Sequence, residues 1–115
     1  MQQILSKLNK TAGVRGSMVI NKDGIVAASD FMIEMDEAGI GAVASSILTA
    51  VEGALKRIKM GKLSRFVITG NENKVAIVDV GPALLLVVLQ RDVNMGMINL
   101  EIKEAMDAIV TKARI

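Results

Sequence analysis

The groups that could do chemistry in this chain are few, and each is weakened by its surroundings. Gly39-Ile40-Gly41-Ala42-Val43-Ala44 matches by letter the G-x-G-x-x-A turn that lets a dinucleotide pyrophosphate approach a helix N-terminus. That turn has to follow a buried strand, and the acidic segment Glu34-Met35-Asp36-Glu37 stands there instead. Its glycines also fall inside a predicted helix, so close helix packing is the better reading. Gly61-Lys62-Leu63-Ser64 resembles the end of a phosphate-binding loop, yet Lys56 occupies the place of the earlier glycine and a strand, not a helix, follows. The chain thus offers no phosphate cradle of its own, and any nucleotide chemistry would belong to a partner. The basic stretch Lys56, Arg57, Lys59, Lys62 and Arg65 could touch nucleic acid or anionic lipid. Stabilisation of a helix end, or an acidic partner, explains it as well. Asp79 reads as a turn-proximal or outward residue and not as a catalytic acid.

Composition narrows the choice further. The 115 residues contain no histidine, which removes the usual general base near neutral pH and the commonest metal ligand. They contain no cysteine, which excludes disulfides and thiolate chemistry and fits a reducing cytoplasm. No catalytic, cofactor-binding or metal-binding residues are expected. A net charge of +2 and only two aromatic residues, Phe31 and Phe66, speak against nucleic acid, since a single-strand binder needs stacking platforms. No apolar run reaches the ~20 residues that span a bilayer, and the N-terminus lacks the basic head and apolar stretch of a cleaved signal. With 51% hydrophobic residues, the chain should fold as one domain, residues 1–115.

Periodicity sets the elements that must position these groups. Ile4, Leu5, Leu8 and Ala12 predict a first helix from Gln2 to Ala12, stopped by Gly13. Ser17 to Ile20 and Ile25 to Ala28 read as a hairpin closed by Asp23-Gly24. A long helix from Asp36 to Lys59 follows, with Ile40, Val43, Ala44, Ile47, Leu48, Val51, Ala54, Leu55 and Ile58 on its apolar arc and Asp36 as N-cap. Three strands come next, Arg65 to Thr69, Val75 to Val80 and Ala83 to Leu89, and then a last helix capped by Asn94. The order α-β-β-α-β-β-β-α implies an α+β fold. Its five-stranded antiparallel sheet carries the long helix on one face and the terminal helices on the other.

What remains exposed looks built for contact. The middle of the long helix's outer face holds Ala42, Ser45, Ser46, Thr49 and Gly53, small and nearly uncharged, where an ordinary solvated face would carry Lys and Glu. Small residues let a second helix approach closely. Glu34, Asp36 and Glu37 gather at one end of the helix and Lys56, Arg57 and Lys59 at the other, so two antiparallel copies would match acidic to basic ends. The strand Phe66-Val67-Ile68-Thr69 has neither proline nor a central charge, and pairing with its own copy would cap an otherwise hazardous edge. Met32, Met35, Met60, Met95 and Met97 near element ends could add an adaptable surface.

Met18 through Ala27, the long Ala/Ser-rich helix, Phe66-Val67-Ile68-Thr69-Gly70, Gly81-Pro82 with Leu84 to Val88, and Met95-Gly96-Met97-Ile98 together resemble the Roadblock/LC7 family across nearly the whole chain. The resemblance implies a profilin-like fold and a homodimer with antiparallel long helices and third strands paired across a two-fold axis. It also implies a non-catalytic scaffold or regulator partnered with a small Ras-like GTPase. The competing reading is a small-molecule sensor or a general assembly module without a GTPase partner. An apolar core lacking central polar groups counts against a sensor.

Overall fold

Ala83–Gln90 is apolar at every position but the last, so neither of its faces tolerates water and the strand must lie inside the sheet. The structure, a computed structural model, describes residues 1–32 and 34–113. Its elements are α1 (Gln2–Asn9), β1 (Val14–Asn21), β2 (Val26–Phe31), α2 (Glu37–Arg57), β3 (Arg65–Thr69), β4 (Asn73–Asp79), β5 (Ala83–Gln90) and α3 (Met95–Ala113). All strand pairs are antiparallel, in the order β2-β1-β5-β4-β3, with β5 at the centre and β2 and β3 at the edges.

The pleat sends alternate residues to opposite faces. On one face Val19, Val78, Leu85 and Leu89 meet Leu5 and Leu8 of α1 and Ile98, Ile102 and Ile109 of α3. On the other, Met18, Ile20, Ile77, Leu84 and Leu86 meet Ala44 and Leu48 of α2. The expected fold, with α2 alone on one face and the terminal helices on the other, is the one observed. Lys7 Nζ ties α1 to α3 by donating to Glu104 at 2.9 Å, and this contact raises the Lys7 pKa. Its stabilising effect is therefore in place below the ordinary lysine value and is lost as pH rises through the raised one.

Several boundaries differ from the sequence reading. Helix α1 stops at Asn9, not Ala12, and β1 begins at Val14, not Ser17. Ser17 is fully buried, but its hydroxyl donates to Asn9 Oδ1 at 2.8 Å while Asn9 Nδ2 donates to Asp30 O at 2.6 Å. Bonded in this way, a polar residue can sit inside a strand without the penalty of about 1–3 kcal/mol for an orphaned group. Strand β2 is displaced to Val26–Phe31 by a bulge at Val19/Ile20 and a four-residue loop. In that loop only Gly24 has a positive φ, +90°, and Asn21 Oδ1 accepts from the Asp23 and Ile25 amides at 3.0 Å. The turn is thus held by an asparagine side chain as much as by Asp-Gly. Asp79 is turn-proximal as expected: its Oδ1 accepts from Gly81 N and its Oδ2 pairs with Lys22.

The two ends of α2 are closed differently. Asp36 caps the start by accepting from Gly39 N at 3.1 Å. At the other end Met60 N bonds Leu55 O at 3.0 Å and Lys59 N bonds Lys56 O at 3.3 Å, a Schellman closure. The residue at its left-handed position is Lys59, φ 58°, where glycine is the usual choice. Replacing it, Lys59→Gly, should raise stability by about 1 kcal/mol by relieving that strain, read as a higher urea midpoint.

A second position tests the packing of α2. A methyl on Gly41 would lie 2.4 Å from the Gly24 carbonyl oxygen. Gly41→Ala should therefore destabilise by about 1–3 kcal/mol although alanine is the better helix former by ~1 kcal/mol. An unchanged or higher urea midpoint would show that the hairpin yields.

Candidate functional site

Helix α2 is held along its first half to the β1–β2 hairpin. Glu37 accepts from the Ser29 hydroxyl, Gly41 abuts the backbone of Gly24, and Ser45 Oγ donates to Lys22 O at 3.0 Å. Pinned there, the helix covers the strands on the far side of β5 only in part, reaching Ile77 but leaving Ile68 exposed. Only 17% of its most apolar 18-residue stretch is buried. By length and composition α2 could cross a membrane, but in this fold Ala44 and Leu48 are fixed in the core.

The apolar arc predicted as buried is consequently split. Ala44 and Leu48 are buried and Ile40, Val51 and Leu55 pack against them, whereas Val43 is 59% exposed and Ile58 62%. Val43 and Ile47 instead turn away from the hairpin and toward the uncovered part of the sheet, while Ala50 and Ala54, on the same helical stripe, are exposed. Between Val43 and Ile47 on one side and Ile68, Val75 and Val88 on the other runs an apolar trough of about 580 Å³. Asn73 Oδ1 is buried without a hydrogen-bond partner among the described residues, and Asn73 lines the trough. Helical periodicity could have revealed this stripe only as part of a broad arc.

The residues singled out from sequence fall into three settings. Ala42, Ser46, Thr49 and Gly53 are exposed, with nothing within 4 Å of a methyl built on Gly53. The hydroxyls of Ser46 and Thr49 donate to the carbonyls of Ala42 and Ser45, each at 3.1 Å, leaving a smooth, nearly uncharged surface. Ser45 is half-buried against the hairpin. On β3, Phe66 tucks under the α2 side of the sheet, Val67 and Ile68 are 41% and 44% exposed, and Thr69 is exposed.

The two sheet edges are not equivalent. Along β2, the carbonyls of Ser29 and Asp30 accept from Gln2 Nε2 at 2.7 Å and Asn9 Nδ2 at 2.6 Å. Strand β3 bonds β4 on one side, and among the described residues nothing bonds its other side. An unpaired strand edge beside an apolar trough is a template for another chain.

Charge is equally uneven. Asp36 and Glu37 are engaged within the chain, as helix cap and hairpin tie, while Glu34 is exposed. Lys56, Arg57 and Lys59 are exposed, and the ion pairs among the described residues are Lys7–Glu104 and Lys22–Asp79. Of the methionines near element ends, Met32, Met60 and Met97 are well exposed and Met35 moderately so, while Met95 packs against the α1/α3 core. The G-x-G stretch proves to be a packing device, since Gly39 makes room for the Asp36 cap and Gly41 for the hairpin.

The chain matches the Roadblock/LC7 domain family over residues 1–90. An uncharacterized protein of Methanocaldococcus jannaschii is 39% identical over 109 residues, covering 95% of this chain and 96% of that protein. Among solved structures, a Roadblock/LC7 domain from Streptomyces avermitilis superposes with a TM-score of 0.92 at 14% identity, covering 100% of this chain and 98% of the other. Gliding protein MglB from Thermus thermophilus gives 0.86 at 18% identity, covering 95% and 84%. At these identities the likeness to the solved structures is one of fold.

Proposed function

The chain belongs to the Roadblock/LC7 domain family, and from that premise we propose that it is a cytoplasmic, non-catalytic homodimeric scaffold for a small Ras-like GTPase, modulating its nucleotide cycle or placement. The observation that carries the dimer is the apolar trough with its open β3 edge. A second copy related by a two-fold axis satisfies both at once. Its α2 packs antiparallel along Val43 and Ile47, and its β3 continues the sheet. Full burial of a side chain such as Val43, Ile47 or Ile68 is worth roughly 1.5–3 kcal/mol, and the symmetry counts each one twice. Ala42, Ser46, Thr49 and Gly53 flank this contact and allow the helices to approach closely. Lys56, Arg57 and Glu34 lie at the ends of the helix, where cross-dimer or partner charges would meet them. MglB has itself been seen in a tetrameric arrangement, which fits a family that self-associates. The GTPase rests on family membership and on the likeness to a gliding protein.

A second reading, binding of an apolar small molecule, is favoured by one observation: Asn73 Oδ1, unpaired on a trough whose size suits a ligand.

Light scattering at low micromolar concentration should return twice 12.2 kDa. Val43→Glu with Ile47→Glu should return the single-chain mass, because the charges would be buried against apolar partners. Ser46→Glu, at the flank, should have a smaller effect. A wild-type monomer would sink the dimer and leave the ligand reading.

For the second half of the proposal, the small GTPase encoded nearest the gene should be captured in one nucleotide state more than the other. Its exchange or hydrolysis rate should change on adding this protein. Equal absence of capture with GDP and GTP would remove the GTPase from the account.

A further inference from the structure

The end of α2 and the loop into β3 form a tip beyond Val43 and Ile47, the residues through which the proposed dimer packs. From Lys56 to Lys62 every residue is exposed, and two are large and apolar: Ile58 at 62% and Met60 at 68%. They alternate with Lys56, Arg57, Lys59 and Lys62, and three of those lysines border an open cleft of about 440 Å³. Helix-end stabilisation accounts for Lys56 and Arg57 in the last turn but not for Lys59 and Lys62 beyond it. The carbonyls of Ala54, Leu55 and Lys56 already accept from the backbone amides of Ile58, Met60 and Lys59. Lys59 is held in a left-handed conformation that glycine would occupy without strain. Nor do the acids at the other end of the helix claim these cations within the chain, since Asp36 and Glu37 are bonded locally.

We propose that this tip docks the protein on an anionic lipid surface, with Ile58 and Met60 seated among the headgroups and Lys56, Arg57, Lys59 and Lys62 paired with their phosphates. Interleaved cations and exposed aliphatic side chains are what an interfacial site needs, because lysine can bury its stem and keep its ammonium at headgroup level. A protein partner fits less well, since lysine is depleted at protein interfaces. Nucleic acid fits poorly too: Phe31 and Phe66 are the chain's only aromatics and both lie against the core. The contact is peripheral, as α2 stays packed on the sheet. It shares Lys56 and Arg57 with the charge contacts proposed above and does not need the β3 edge.

The test is co-sedimentation of the full chain with phosphatidylcholine vesicles, with and without phosphatidylglycerol. Binding should require the anionic lipid and weaken with added salt. Lys59→Gly is the decisive variant, because it removes one charge while relieving strain. Its affinity should fall about fivefold with no loss of stability, the share expected of one cation near an anionic surface. Ile58→Ser with Met60→Ser should weaken binding about tenfold or more at constant charge. The proposal is overturned if anionic vesicles fail to sediment the chain or if Lys59→Gly binds as tightly as the parent. It is equally overturned if the serine pair changes nothing, which would mean simple counter-ion attraction, or if millimolar pyrophosphate displaces the vesicles fully, which would mean a soluble-phosphate site.

Discussion

At Gly41 and Gly24 the backbones of α2 and the β1–β2 turn pass each other with no room for a methyl group between them. Most of what is distinctive about the surface follows from that approach. A helix about 10 Å across cannot cover five strands spaced about 4.8 Å apart, so where it is pinned decides which strands stay bare. Pinned on the hairpin by Gly41, Ser45 and Glu37, α2 covers the β2–β1 side and leaves Val75, Ile68 and Val88 facing the trough. The same contact turns Val43 outward, and an apolar stripe that would otherwise complete a core becomes a surface.

Much of this could be read from the residues, and the limits of the reading have physical causes. Element types and order were legible because the long apolar periodicities are strong and the turns carry Gly, Pro, Asn or Asp. Asp36 and Asn94 were legible as caps because their role is local; Asn94 accepts from the amides of Gly96 and Met97. Ser17 was not legible as a buried residue, since its partner Asn9 comes to it only through tertiary packing. The split arc of α2 was hidden for a related reason. Periodicity reports that Val43 and Leu48 both avoid water, not which of them the chain's own sheet covers. The proposed interaction surface was therefore read only through its small residues, and the apolar stripe beside them emerges only when the sheet is in place.

The two ends of α2 illustrate how equal-looking charge patterns separate once side chains have neighbours. Read as letters, acids at one end and bases at the other suggest a matched pair. In the fold the acids are largely spent on local geometry, Asp36 as a cap and Glu37 as a tie to Ser29, whereas the bases face solvent beside Ile58 and Met60. A charge engaged within the chain and a charge presented to solvent are different quantities, and composition records only their sum.

The inequality of the sheet edges sets the valence of the molecule. Gln2 occupies the outward carbonyl of Ser29 on β2, whereas among the described residues nothing bonds the outer side of β3. A unit with one joinable edge can extend its sheet by a single neighbour, and a neighbour of the same kind arrives with its own joinable edge already consumed. In the proposed dimer, growth through β3 therefore ends at two. One amide side chain on an eight-residue helix thus blunts one edge of the sheet and leaves the other as the place for addition.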